Sequence, residues 1–323
     1  MNPIVSVILC TRNRLKYLAA ALGSIGVQEF GPELCEIIVV DNASSDTTRE
    51  YVCSRASEDP TLHYVLEPIV GLSRARNTGI QAARGQYLAF LDDDAVEDPG
   101  WLSQIPIAFD TGGPEVGCVA GKIDAIWGAP RPPWLHDNLL SYVSVLDYGP
   151  GPIWLQEHQM AFGTNVAFAR KAVLQAGGFS PALGREGTWL MSNEEVLLQR
   201  QLHRLGYRTY YDPRMAIRHN VHAERLSKSW FRRRVYWQGV SDALLESQLE
   251  SITFSRALKK RLRRIASIAK RPKEVLCLAH RGNDPIAFLT ECNILLKLGY
   301  GLATLHSSNN ALSHFEPRAV HAQ

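Results

Sequence analysis

Short apolar segments alternate with longer, helix-like segments along the first third of the chain. The apolar segments are rich in β-branched residues and lack a clean apolar–polar alternation, which is typical of strands in a parallel sheet buried on both faces. The order therefore predicts an α/β fold with helices on both sides of the sheet. The predicted strands are Ile4–Cys10, Glu36–Val40, Leu62–Leu66 and Tyr87–Leu91, and the predicted helices are Leu15–Ile25, Asp46–Ser54, Ser73–Ala83 and Gly100–Phe109.

Polar clusters follow three of these predicted strands. They are Thr11–Arg14, Asp41–Asp46 and Asp92–Asp94. Open parallel sheets bind their ligands at the carboxyl ends of the strands, so we expect a binding site where these clusters meet.

The second part of the chain is less regular. Prolines and aromatic residues crowd the segment between Trp127 and Pro152, which favours a long loop or lid over a linker, because linkers seldom carry so many aromatic side chains. Regular elements are predicted at Phe162–Ala169, Asn193–Leu205 and Tyr207–Tyr211, a helical region from Ser229 onward, and a frayed end from His306.

The 323 residues suggest about two domains, and a composition with 46% apolar and 21% charged residues is that of a globular protein. Of the 35 Lys and Arg residues, nine lie in the stretch Arg256–Lys273, which holds no Asp or Glu. The rest is mildly acidic, which disfavours a nucleic-acid partner. Apolar residues recur within the basic stretch at Leu258, Leu262, Ile265 and Ala269. We expect an amphipathic helix lying on an anionic membrane, with a solvated helix packed on the domain as the alternative.

Features that report on the compartment are few. The six cysteines form no C-x-x-C motif, so we expect free thiols in a reducing compartment. The N-terminus enters a strand without a basic or apolar leader, which predicts a cytoplasmic protein. The most apolar stretch of near-membrane length, Ile286–Leu305, contains Glu291, Asn293 and Lys297, which makes it a poor membrane-spanning segment.

Three strand-end positions offer candidate chemistry. The carboxylates of Asp92–Asp94 repel one another unless a cation lies among them, so a divalent metal is favoured over a solvated acidic turn. Asp41 can accept a hydrogen bond from a nucleotide base or a ribose hydroxyl, while Asn42 suits a turn. Arg74 and Arg76, near a helix start, suit a diphosphate or are solvated helix charges.

Two later pairs of residues are ambiguous. Glu194 and Glu195 begin a predicted helix, where they either stabilise the helix dipole or supply a general base for an incoming hydroxyl. His219 and His222 could reach a metal, but ordinary surface or core histidines fit the pattern as well. The chain has neither a P-loop nor a G-x-G-x-x-G motif after its first strand, which disfavours those modes of nucleotide binding.

In this order, the motifs resemble those of the inverting glycosyltransferases of family 2, which have the GT-A fold. The resemblance extends over about Val5 to Gly239. The matching segments are Ser6–Arg14, Val39–Asp46, Leu72–Gly79, Phe90–Asp94, Gly163–Asn165, Gly177–Phe179 and Asn193–Arg200.

The resemblance implies a division of the chain into two parts. A GT-A catalytic domain with a mostly parallel, Rossmann-like sheet would occupy residues 1–225, with a nucleotide-binding half at 1–125 and an acceptor-binding half at 126–225. A helical C-terminal extension would follow at 226–323 and carry the basic amphipathic helix at about 254–273.

The resemblance also implies an activity, in which a sugar moves from a UDP-, GDP- or dTDP-sugar to a hydroxyl of a polysaccharide, glycolipid or lipid-linked glycan. The transfer inverts the anomeric carbon and uses Mn²⁺ or Mg²⁺. Such enzymes build cell-envelope polysaccharides, and this one is expected at the cytoplasmic membrane face.

The resemblance assigns roles to individual residues. In relatives the last aspartate of the triplet faces the metal and the second acid of the late pair is the base, which points to Asp94 and Glu195, with Glu194 as a substitute. His219 or His222 falls where relatives approach the metal or the phosphates. The residues implied in nucleotide-sugar binding are Thr11, Arg12, Arg14, Asp41, Asn42, Arg74, Arg76, Asp92 (also near the metal) and Asp93, and those on the acceptor side are Gly163, Thr164, Asn165 and Trp189.

Two other functions stay open at this point. A sugar-phosphate nucleotidyltransferase would share the sheet and the metal, but it needs a glycine-rich loop after the first strand, and Ser6–Arg14 contains no glycine. A non-catalytic, membrane-associated sugar-binding module is the other, although the intact acidic motifs argue against it. Trp134 and Trp154 fit either a sugar-stacking position or a core position.

Overall fold

The first part of the molecule is a parallel sheet with its predicted helices. The computed structural model describes residues 3–26, 31, 34–250, 254–270, 272–275 and 282–303. The first four strands pair in parallel in the order β3-β2-β1-β4, which confirms the predicted strands. The elements are β1 (Val5–Thr11), α1 (Leu15–Ile25), β2 (Cys35–Asp41), α2 (Thr48–Glu58), β3 (Leu62–Leu66), α3 (Leu72–Ala82), β4 (Tyr87–Asp92), β5 (Ala95–Glu97) and α4 (Trp101–Gly112).

Helices cover both faces of this sheet because successive residues of the inner strands point in opposite directions. On β1, Val7 packs in the cluster that contains Leu18 of α1, whereas the next residue, Ile8, packs in the cluster that contains Ile80 of α3. Both faces of the sheet are thus apolar at β1, as the absence of clean alternation predicts.

The second part of the sheet is mixed. Its strands extend the order to β3-β2-β1-β4-β8-β6-β9-β5, with β7 paired to β9, and β8 is antiparallel to both β4 and β6. The sequence pattern predicts only the first part of β9, as Tyr207–Tyr211, and does not predict β6. The elements are β6 (Val116–Trp127), β7 (Ile153–Trp154), β8 (Asn165–Ala169), α5 (Arg170–Ala176), α6 (Glu194–Arg204) and β9 (Arg208–Val221).

Close backbone approach explains why β6 was missed. Glycines weaken a strand signal, and β6 contains Gly117 and Gly121. A Cβ atom at Gly121 would lie 2.0 Å from the carbonyl oxygen of Met215 on β9, so the residue that obscures the strand is required by its neighbour.

The C-terminal helices form a layer that reaches back to the sheet. They are α7 (Lys228–Glu250), α8 (Phe254–Ala269), α9 (Pro272–Val275) and α10 (Pro285–Leu302). Helices α7 and α10 touch at Gly239, where a Cβ atom would lie 2.0 Å from the Leu296 carbonyl oxygen. The division of the chain at residue 225 stays a prediction.

The aromatic-rich segment after β6 joins these helices to the sheet. It contains a 3₁₀ helix at Asp137–Val143, and Trp134 packs edge-on against Phe231 of α7 and Phe288 of α10. The expected loop or lid is therefore anchored, and Trp134 holds a core position. Within the described ranges no helix has the length and apolarity needed to cross a membrane. The predicted frayed end from His306 lies outside the described residues.

Candidate active site

The carboxyl ends of β1, β2 and β4 open onto one cavity of about 580 Å³. This is the edge at which the sequence predicts a site. The predicted residues that line the cavity are Thr11, Arg12, Arg14, Asn42, Arg76, Asp92, Asp93, Asp94, Gly163, Thr164, Glu194 and Glu195.

Two residues at the end of β2 are occupied by the protein itself. The Asp41 carboxylate accepts hydrogen bonds from the Ser44 backbone N–H at 2.8 Å and from the Tyr64 hydroxyl at 2.9 Å, and it does not line the cavity. Asn42 accepts a 2.8 Å bond from the backbone N–H of Gly71, the residue before α3. Asp41 and Asn42 thus support the strand end at which a nucleotide would bind.

Five other predicted residues lie outside the cavity lining, namely Arg74, Asn165, Trp189, His219 and His222. Asn165 is fully buried and accepts a 2.9 Å hydrogen bond from the Trp101 indole, so it ties β8 to α4. Trp189 stacks on Trp237 of α7, with ring centroids 5.7 Å apart. Arg74 lies in the first turn of α3, outside the lining, whereas Arg76 points inward.

Asp93 holds the first strand-end loop together. Its carboxylate accepts a 2.6 Å hydrogen bond from the Thr11 hydroxyl and a 2.7 Å bond from the Arg14 guanidinium. Burial raises the pKa of Asp93 to about 7, and the positive charge of Arg14 opposes this shift. Asp93 therefore positions Thr11 and Arg14 at the rim of the cavity.

Asp94 lies at the centre of a cationic and imidazole cluster. Its Oδ2 atom contacts the Arg14 guanidinium and lies 2.9 Å from His222 Nε2, while His219 Nε2 lies 3.2 Å from Oδ1. Burial alone would raise the pKa of this carboxyl, but the contacts with His219, His222 and Arg14 hold the pKa of Asp94 well below its usual range.

A metal ion fits this cluster. Asp92, Asp94 and His219 each offer a ligand atom, and these atoms lie within 4.8 Å of one another. Among the described residues, the buried His219 Nδ1 has no hydrogen-bond partner, while His219 Nε2 faces Asp94 Oδ1 at 3.2 Å. Carboxylate oxygens with one imidazole nitrogen suit Mn²⁺ and, through the oxygens, Mg²⁺.

Of the two candidate histidines, the structure brings only His219 into the metal-ligand group. The His222 ring packs edge-on against Tyr17, with centroids 4.7 Å apart, and faces the other oxygen of Asp94. Asp92 is oriented by a 2.8 Å hydrogen bond from the Thr164 hydroxyl.

The two glutamates that begin α6 differ in their surroundings. Glu194 accepts a 2.7 Å hydrogen bond from the buried Arg76 guanidinium, so it forms a buried ion pair. Glu195 has no such ion pair in the described structure, and in both glutamates the buried Oε2 atom has no hydrogen-bond partner there. Burial and the neighbouring Glu194 charge raise the pKa of Glu195 to about 8, against the opposing charge of Arg76. Of the two glutamates, Glu195 is therefore the one whose carboxyl is not held in an ion pair by Arg76.

Gly163 makes the ion pair possible. A Cβ atom at this position would lie 2.2 Å from the Arg76 Nη2 atom, so a side chain here would displace the guanidinium. Gly163 and Thr164 thus act at the cavity by holding Arg76 and Asp92, respectively.

One wall of the cavity, here called the C-terminal wall, is lined by residues that no sequence motif marks. Their proximity to the strand ends depends on the tertiary packing of the chain after residue 140. They are Tyr142, Arg185, Arg225, Arg234, Gln238 and Asp242. Trp154, for which the sequence allows either a sugar-stacking or a core position, packs against Tyr210, and its ring centre lies 3.9 Å from the Arg208 guanidinium.

Comparison with known proteins gives consistent results. The chain is 26% identical to the glucosyl-dolichyl phosphate glucuronosyltransferase of Haloferax volcanii over 245 residues, which is 75% of this chain and 77% of the relative. It is 28% identical to the succinoglycan biosynthesis protein ExoM of Rhizobium meliloti over 72% of this chain and 71% of the relative.

Among solved structures, the mannosyltransferase PcManGT of Pyrobaculum calidifontis, in complex with GDP-Man and Mn²⁺, superposes with a TM-score of 0.62 at 19% identity. The match covers 95% of this chain and 88% of that one, and it confirms the predicted GT-A fold. The sequence profile described as glycosyl transferase family 2 matches residues 6–175, more than half of the chain. The chain therefore belongs to glycosyl transferase family 2.

Proposed function

We propose that the protein uses this cavity to transfer a sugar from a nucleotide-diphosphate sugar to an acceptor hydroxyl, with inversion at the anomeric carbon. The observation that carries this proposal is that Glu195 and the Asp92–Asp94–His219 cluster line or adjoin one cavity. A metal site and a proton acceptor at one cavity are what a single displacement at a sugar carbon requires.

The donor would bind along the strand ends. Asp92, Asp94 and His219 would hold a divalent cation, which neutralises the charge of the departing nucleoside diphosphate. Arg12, which is exposed at the rim, and Thr11 would contact the nucleotide at the end of β1, beside Asn42 at the end of β2. The nucleotide base follows from none of these contacts, so UDP-, GDP- and dTDP-sugars all stay candidates.

The chemical step would run through Glu195. Its ionised carboxylate accepts the proton of the acceptor hydroxyl as the hydroxyl oxygen bonds to the anomeric carbon from the face opposite the phosphate. The bond from that carbon to the phosphate oxygen breaks, and its electron pair leaves with the diphosphate. Glu194 is held by Arg76 and would orient this wall of the cavity instead.

The relatives support a lipid-linked or polysaccharide acceptor. The archaeal relative is named for action on a glucosyl-dolichyl phosphate, and the bacterial relative is named for succinoglycan biosynthesis. Both names fit a glycan assembled at a membrane, which would place this enzyme in cell-envelope polysaccharide biosynthesis. Free thiols at the five cysteines of the described structure fit the cytoplasmic face, where reducing conditions prevail.

Helix α8 would hold the enzyme at that surface. Leu258 and Leu262, one turn apart, are 37% and 56% exposed, and basic residues flank them. Ile265 on the same helix packs at Gly301 of α10, so only part of the apolar face is covered. In low salt, we expect the protein to sediment with anionic vesicles and a Leu258→Ser, Leu262→Ser variant to stay in solution. Equal sedimentation of both proteins would contradict this membrane role.

A donor panel tests the enzymatic proposal without knowledge of the acceptor. UDP-, GDP- and dTDP-sugars are incubated with Mn²⁺, and slow hydrolysis to the nucleoside diphosphate is measured for wild type and Asp94→Asn. We expect hydrolysis of at least one donor by wild type and its loss in the variant. Release of pyrophosphate from a nucleoside triphosphate and a sugar phosphate, without donor hydrolysis, would favour a nucleotidyltransferase instead.

A further inference from the structure

Three arginines on the C-terminal wall of the cavity lack the carboxylate partners that the strand-end arginines have. Arg14 and Arg76 are each in an ion pair with an acid of the site, at 2.7 Å from Asp93 and Glu194, respectively. By contrast, Arg185, Arg225 and Arg234 line the cavity without a carboxylate within 3.5 Å in the described structure. The nearest contact of this set joins Arg225 to Asp94 at 3.8 Å.

Arg234 has the clearest unmet need for a hydrogen-bond partner among the three. It is 8% exposed, and its Nε and Nη1 atoms have no hydrogen-bond partner among the described residues. Its guanidinium lies 5.6 Å from the centre of the Tyr142 ring. Burial lowers the pKa of Arg234 to about 10, with a further contribution from the positive charge of Arg185. Two unpaired donor atoms on a buried guanidinium are costly, so this wall suits an anion that arrives from outside.

The position of Arg234 indicates which substrate brings that anion. Arg225 lies on the metal side, because its Nη2 atom is 3.8 Å from Asp94 Oδ2. Arg234 lies on the side of the base, because it is one helical turn before Gln238, which donates a 2.8 Å hydrogen bond to Asn193, the residue before Glu194. The neighbouring Asp242 accepts a 2.8 Å hydrogen bond from Asn193, the residue before Glu194, which fixes α7 against the start of α6.

We propose that Arg185 and Arg234 bind a phosphate group of the acceptor, as in a sugar carried on a lipid phosphate. This inference rests on the proposed function, because it uses Glu195 to locate the acceptor hydroxyl. The donor diphosphate is assigned to the metal side, so a second phosphate close to the base belongs to the other substrate. Two guanidiniums match the oxygens of one phosphate in charge and in hydrogen-bonding capacity.

Octyl phosphate is the probe, titrated calorimetrically into protein that is already saturated with Mn²⁺ and the nucleoside diphosphate chosen by the donor panel. We expect Arg234→Gln and Arg185→Gln each to weaken octyl phosphate binding by about tenfold or more, with nucleotide affinity unchanged within about twofold. Arg233→Gln is the matched control, since Arg233 is the exposed neighbour on the same helix, and it should change neither affinity. The half-buried Arg185 supplies the result if the Arg234 variant does not fold.

The other outcomes overturn the assignment in distinct ways. Parallel loss of nucleotide affinity in both variants would give these arginines to the donor. Tighter binding of glucuronate than of octyl phosphate would identify a sugar carboxylate as the ligand, and equal binding of inorganic phosphate would identify a free ion. Failure of wild type to bind nucleotide with Mn²⁺ would instead count against the proposed function itself.

Discussion

Replacement of Glu195 by Gln separates the two halves of the proposed reaction. Glu195 has a pKa raised to about 8, so about a tenth of the molecules carry the ionised base at pH 7 and about nine-tenths carry it at pH 9. A base must be ionised to accept a proton, so transfer by wild type should increase about tenfold between these pH values. In Glu195→Gln transfer should fall by about 10²–10⁴-fold and lose this dependence, while donor binding persists.

The assay is single-turnover transfer with saturating donor and Mn²⁺, measured from pH 6 to 9.5. Glu58→Gln is the control, because Glu58 is exposed at the end of α2 and its replacement should leave the profile unchanged.

The raised pKa of Glu195 also predicts how stability depends on pH. The folded state holds the Glu195 proton more tightly than the unfolded chain, so the stabilisation from this proton is lost as pH rises toward 8. The melting temperature of Glu195→Gln minus that of wild type should therefore be more positive at pH 9 than at pH 5. A pH-independent wild-type rate, or wild-type turnover by Glu195→Gln, would refute the assignment of the base.

Substitutions at glycines test the packing that positions the site. Gly163→Ala places a methyl group 2.2 Å from Arg76 Nη2, so it should lower the free energy of unfolding by about 3 kcal/mol in urea titrations and also reduce transfer; wild-type values for both would contradict the role of this contact. Gly239→Ala should separate α7 from α10, because the new Cβ atom would meet the Leu296 carbonyl at 2.0 Å, and thermal melting should show the loss. Gly23→Ala, in α1 with nothing within 4 Å of the new Cβ, should instead stabilise by up to about 1 kcal/mol, and destabilisation there would count against the helix.

The strand ends of the first half could be predicted from sequence because their signals are local. An apolar strand followed by Asp92–Asp94 places carboxylates at the sheet edge whatever the rest of the chain does. The same reasoning could not say which acids are free. Arg76 and Glu194 are separated by 118 residues, and only their ion pair distinguishes Glu194 from Glu195.

The arginines of the C-terminal wall could not be identified as site residues from sequence, because they differ from neighbouring arginines only in their tertiary surroundings. Arg232, Arg233 and Arg234 are consecutive on α7, yet the first pairs with Glu291 at 2.6 Å, the second is exposed and the third lines the cavity. Likewise, the motif Gly163–Asn165 contains two residues at the cavity and one buried cross-link, because Gly163 and Thr164 precede β8 whereas Asn165 is its first residue.

Binding of Mn²⁺ followed by electron paramagnetic resonance tests the central claim most directly, because bound Mn²⁺ loses the sharp signal of the free ion. In the presence of a nucleoside diphosphate, wild type and Glu195→Gln should both lower the free signal below that of a protein-free sample with the same Mn²⁺ and nucleotide, and Asp94→Asn should match the protein-free sample. Undiminished Mn²⁺ binding by Asp94→Asn would contradict a metal site at the end of β4 and, with it, the proposed reaction.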